Sequence, residues 1–118
     1  MKGDDIAERL LDFAVRVIKV VNALPKTVAG RHVGGQLVRC GTSAGSNYEE
    51  ARGAESRADF IHKLGVSWKE TRESWFWLRV IHRAQLLKPL LVEPLTQEAA
   101  ELSAILAKSI LTAKKNKQ

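Results

Sequence analysis

Gly34–Leu64 reads GGQLVRCGTSAGSNYEEARGAESRADFIHKL, a pattern that two helices with a sharp break between them explain. The first part is polar and rich in small residues, Gly53 marks the break, and Ser56 opens a second helix. Ser56 can accept early backbone N–H bonds, and Asp59 stands where a carboxylate reaches back, a variant of the capping box. Each interior glycine costs a helix about 1 kcal/mol relative to alanine, so tertiary packing must offset Gly41 and Gly45. Close approach of a neighbouring helix is the physical reason to keep Gly41, Ser43, Ala44 and Gly45 small. Gln36, Arg39, Asn47 and Glu50 then need polar partners on that neighbour.

Outward from this stretch the chain predicts four helices, over about residues 4–24, 30–52, 56–86 and 92–114. In the first, Ile6, Leu10, Phe13, Val17, Val21 and Leu24 recur at three- and four-residue steps, which makes one apolar stripe. Asp4, Asp5 and Glu8 lie at the end where the helix dipole favours anions. Pro25 stops the helix, because the residue before a proline avoids helical backbone. In the last helix, Leu95, Ala99, Leu102, Leu106 and Ile110 form the seam, and the basic AKKNKQ tail frays beyond it. The three prolines, at 25, 89 and 94, leave residues 26–88 uninterrupted. With almost no Val/Ile/Thr alternation, the expectation is an all-α bundle of four helices in one domain, residues 1–118.

Composition agrees with a globular domain: 118 residues, 45% apolar and 27% charged. A single cysteine, Cys40, allows no disulfide within the chain and suits a reducing compartment. No run approaches the roughly 20 apolar residues of a membrane span, and MKGDDIAERL is too polar for a signal peptide. A cytoplasmic location without membrane contact is expected. The net charge is +6, and most of it falls on residues 56–88, with seven basic residues against three acidic. Such a balance admits a polyanionic partner.

At roughly 100° per residue, Trp68 and Trp75 share a face of the third helix with Leu64, Thr71, Leu78 and His82, expected to be the bundle seam. Trp77 falls on nearly the opposite side, with Phe76 between, so Phe76 and Trp77 are candidates for a second, oligomeric contact. Lys69, Arg72, Arg79 and Arg83 lie within about 80° of one another, with Phe76 in the same sector. Cations in a row match a phosphate backbone, and an aromatic among them can stack on a base. A solvated charged face produces the same row without any partner.

Glu70 and Glu73, spaced i,i+3, are ordinary neighbours on one helix. With Arg39, Asn47 and Glu50 they are expected to form an interior polar network joining the second and third helices. Asp59-x-x-His62 has half the spacing of a carboxylate–histidine metal site, but neither His32 nor His82 supplies the other half. Cys40 has no histidine at a motif spacing and reads as a buried thiol. Gly34, Gly35, Gly41 and Gly45 match neither phosphate-binding fingerprint. No catalytic residue, metal or cofactor is expected, and enzymatic activity is not predicted.

Gln36-Leu37-x-Arg39, Thr42-Ser43-x-x-x-Asn47-x-x-Glu50-Ala51, Ser56-x-x-Asp59-Phe60-x-x-Lys63-Leu64 and Lys69-Glu70-x-x-Glu73-x-x-x-x-Leu78 follow one another in order. With Glu98-x-x-Glu101-Leu102-x-x-Ile105-Leu106, this series resembles the bacterial four-helix-bundle proteins encoded by intervening sequences of large-subunit ribosomal RNA genes. The resemblance spans about residues 5–114 and implies an up-down-up-down, left-handed four-helix bundle assembled as a homopentameric ring. A looser similarity is to the accessory protein of diversity-generating retroelements, a basic pentamer that binds nucleic acid. Gly45 departs from the intervening-sequence pattern, where many members carry proline. Together these features predict a non-enzymatic oligomer offering a basic surface to RNA, DNA or a nucleoprotein. A protein-interaction scaffold is the alternative.

Overall fold

The computed structural model, which describes residues 2–116, contains four helices: α1 (Gly3–Ala23), α2 (Val28–Arg52), α3 (Arg57–Arg83) and α4 (Pro89–Lys115). No strand occurs among the described residues. Contacts run between neighbours α1–α2, α2–α3, α3–α4 and α4–α1, which closes a square bundle about 51 Å long. Each neighbouring pair is antiparallel. Gly34 faces Leu24 and Gly45 faces Leu10, Ala44 faces Ser67, Arg57 reaches Ala113, and Arg9 reaches Glu98.

Local chemistry sets the ends. Thr27 caps α2, its Oγ1 accepting from Gly30 N at 3.1 Å, so the helix begins two residues earlier than Gly30. Ser56 caps α3 in the same way, accepting from Asp59 N at 3.1 Å. α3 stops at Arg83, short of the expected 86, and Gln85 takes the left-handed backbone (φ 56°) that ends such helices. Leu86 N then donates to Ile81 O at 3.0 Å and turns the chain toward α4. Pro89 starts α4 at its first position, where no N–H is needed, so the helix begins before residue 92.

The α1 stripe is buried through Ile6, Leu10, Phe13, Val17 and Leu24, with Val20 buried in the place expected for Val21, which is half-buried at the edge. Facing it, α2 presents glycine: a Cβ at Gly41 would lie 2.7 Å from Val17 Cγ1, so the helices approach closer than alanine would allow. α1 and α4 are joined by a fork. Arg9 Nε donates to Glu98 Oε2 at 3.0 Å and Nη2 to Glu98 Oε1 at 2.6 Å, with a further bond to Glu101.

The inward face of α3 differs from expectation. Leu64, Ser67, Thr71, Ser74, Leu78 and Ile81 are buried, whereas Trp68 and Trp75 are half-buried at the border and His82 is exposed. Small hydroxyl residues fit the tight seam against α2, and their polar atoms are answered: Ser67 donates to Ala44 O at 2.7 Å and Thr71 to Ser67 O at 2.8 Å. The exception lies on α4, where the buried Ser103 Oγ has no partner among the described residues. Ser103→Ala should therefore stabilise the bundle by about 1 kcal/mol, measured by chemical denaturation, because it removes an unsatisfied group without opening a cavity.

Candidate nucleic-acid interface

The α2–α3 seam fixes the rotation of α3 and so determines what its outer face presents. Along the solvent edge of that seam, Arg39 bonds Glu73, reaches Glu70 at 3.5 Å, and contacts Gln36 on its own helix. Ser43 donates to Glu70, and Trp77 Nε1 donates to Glu73 Oε2 at 3.1 Å. Lys63 closes the far end on Glu50 at 2.7 Å. The network is not interior: Arg39 is half exposed, because desolvating this many charges would cost more than their attraction returns. Asn47 takes no part across the seam. Its Nδ2 donates to Ser43 O at 2.9 Å on the same helix. Cys40 is the seam's buried thiol, 3.3 Å from Ser74 Oγ, and burial pushes its pKa up, so it is a poor nucleophile.

With Glu70 and Glu73 turned to α2, the opposite flank and the outside of α3 carry the cations. Lys69, Arg72 and Arg83 are exposed and Arg79 is half-buried. None of the four makes an ion pair among the described residues. Trp75 organises the middle of the row: the guanidinium carbons of Arg72 and Arg79 lie 4.7 Å and 4.5 Å from its ring centroid. Each such stack contributes about 0.5–1 kcal/mol at an exposed site and restrains an otherwise mobile side chain. Phe76 projects between them, 51% exposed, beside a shallow depression of about 350 Å³ lined by Arg79, Val80 and Arg83. Lys69 to Arg83 spans roughly 21 Å at 1.5 Å per residue.

Trp77 sits apart from this row. Its ring meets His32 edge-on at 5.9 Å and Phe76 at 5.0 Å, so it covers the start of α2 and leaves Phe76 as the exposed aromatic. His62 is exposed, and His82 Nε2 lies 3.3 Å from Glu93 on α4. Two features escaped the sequence reading. One is the Arg72–Trp75–Arg79 stack, hidden by assigning Trp75 to the core. The other is an outer stripe on α1, Leu11, Val15 and Ile18, 57%, 45% and 43% exposed. Its i, i+4, i+7 spacing is visible in the sequence once the first stripe is set aside.

The model of the 23S rRNA-intervening sequence protein family matches residues 4–108. The chain belongs to that family. Its fold is also similar to the crystal structure of a protein of unknown function from the S23 ribosomal protein family of Bacteroides thetaiotaomicron VPI-5482. The two share 32% identity over 93% of this chain and 98% of that one, with a TM-score of 0.84. A comparison with curated proteins gives no match. The matched span takes in the whole α2–α3 seam and the cationic face of α3, so this intervening-sequence family member carries its candidate site within the family region. No described helix is long and apolar enough to cross a membrane.

Proposed function

We propose that this member of the intervening-sequence family is a non-enzymatic, cytoplasmic homo-oligomer whose α3 face binds unpaired RNA or DNA. The observation that carries the reading is the pair Arg72 and Arg79 stacked on Trp75, with no carboxylate partner among the described residues, beside an exposed Phe76. Cations held at defined positions neutralise phosphates, and their binding releases counterions. Phe76 adds selectivity, because an aromatic ring can stack only on a base whose face is free. A duplex hides its base faces, so it gains the charge term alone.

Fluorescence anisotropy with an unstructured pyrimidine-rich 15-mer and with its perfect duplex tests this. The single strand should bind at least tenfold more tightly at about 0.1 M salt. Phe76→Ala should weaken it roughly 5- to 150-fold while leaving the duplex nearly unchanged, the range a single stacked base contributes. Equal affinities, or no effect of Phe76→Ala, would contradict stacking. If neither nucleic acid binds and a protein partner is retained from lysate after nuclease, the scaffold reading replaces this one.

The proposed assembly is a five-membered ring, as the family resemblance implies. Exposed apolar stripes rarely stay in water, and Leu11, Val15 and Ile18 on α1 offer one half of a head-to-tail contact. Five copies of a 13.1 kDa chain make about 66 kDa by light scattering. A species near 13 kDa at micromolar concentration would remove the ring.

A further inference from the structure

The end of the bundle remote from the α3 row holds an open cleft of about 740 Å³, within the range of small-molecule sites. It lies where the last turn of α2, the first turn of α3 and the last turns of α4 converge over Ile6 of α1. The floor is apolar: Ile6, Ala51 and Ala113 are buried, and Phe60 and Ile105 are half-buried against the core. Three cations, Arg52, Arg57 and Lys108, stand around that floor, and among the described residues no carboxylate lines it. Arg52 is already matched by Asp4 and Glu49. Arg57 is held in place by a neutral group, its Nη1 donating to Ala113 O at 2.9 Å, and makes no ion pair among the described residues. Lys108 makes no ion pair among the described residues.

We propose that this cleft binds a small anionic amphiphile, a carboxylate or phosphate head on a short apolar body. The head meets Arg57 and Lys108, whose charges no carboxylate among the described residues answers. The body lies over Ile6, Phe60 and Ile105 and removes apolar surface from water, each buried methylene adding about a fourfold gain in affinity. A neutral amphiphile forgoes the head contact, and a bare anion forgoes the floor. Ligand and bundle end are thus matched in both charge and polarity. The site is independent of the α3 row, since no residue is shared.

Isothermal titration of the full chain in its native assembly, below micelle-forming concentrations, tests the match with decanoate, decyl phosphate, decanol and inorganic phosphate. One decanoate or decyl phosphate should bind per chain, and the tighter of the two names the head. Decanol and inorganic phosphate should each bind at least tenfold more weakly. Lys108→Glu, at an exposed position without a fold contact, should weaken the anionic amphiphile at least tenfold and leave decanol unchanged. Arg57→Gln, which keeps a donor for Ala113 O, should act in the same direction. Equal binding of decanol and decanoate, undiminished binding by Lys108→Glu with an unchanged melting curve, or no binding of either anionic amphiphile would overturn the proposal.

Discussion

Alanine at Gly30 should lower stability by about 2–4 kcal/mol, the largest loss expected from adding a single methyl group to this chain. A Cβ at Gly30 would lie 1.9 Å from the Pro25 carbonyl oxygen. The obstacle is backbone, which cannot rotate aside, so the α1–α2 connection must shift and the Thr27 cap on Gly30 N is lost with it. Gly41→Ala meets Val17 Cγ1 at 2.7 Å and Cγ2 at 2.8 Å, a stiff β-branched side chain. Its overpacking cost of about 1–3 kcal/mol outweighs the roughly 1 kcal/mol that alanine gains in helix propensity. Combining Gly41→Ala with Val17→Ala should recover part of the loss, a coupling that independent sites would not show. Gly35 and Gly65 have no heavy atom within 4 Å of such a methyl group, so alanine there should stabilise by about 0.5–1 kcal/mol. Urea denaturation of the series reads all of these. A wild-type midpoint for Gly30→Ala would refute the close approach.

Reversing Arg72, Arg79 and Arg83 to glutamate should abolish binding of the single strand, a loss of at least a hundredfold at about 0.1 M salt. Three reversals remove six charges and bring the net charge from +6 to zero. A protein with Lys26, Lys114 and Lys115 reversed reaches the same total while keeping the α3 row intact. If the local arrangement matters, the second protein retains most of its affinity. If only total charge matters, both lose it alike. The α3 variant also gives up two cation–π stacks, so its stability should fall by about 1–2 kcal/mol, too little to unfold it. Circular dichroism at the assay temperature separates lost binding from lost fold.

The α1 helix was legible because its apolar residues are large and regularly spaced, and Ile6, Leu10, Phe13 and Val17 are buried as that spacing requires. α3 was misphased for the complementary reason. Apolar bulk places Trp68 and Trp75 inward, but a helix whose backbone lies close to Cys40 and Ala44 of α2 has room only for small side chains at that seam. Ser67, Thr71 and Ser74 therefore take the seam, and α3 sits rotated by roughly 60–80° from the aromatic phase. Their i, i+4, i+7 spacing in small hydroxyl residues carried that information, as the glycines did for α2. The cationic row was legible from spacing alone. What holds it was not, because the stack needs Trp75 at the border and not in the core. Arg39 and its carboxylates were legible as partners, but whether charges lie inside or at an edge depends on desolvation, which sequence spacing does not encode.

The salt dependence of single-strand affinity tests the central claim most directly. Four cations on α3, each neutralising one phosphate, predict a slope of log affinity against log salt near −2.8 per bound copy, roughly a 600-fold loss from about 0.05 to 0.5 M. The slope should fall to about −0.7, the share of Lys69 alone, when Arg72, Arg79 and Arg83 are replaced by glutamine. A wild-type slope near zero, or one unchanged by those replacements, would contradict the assignment of the α3 face.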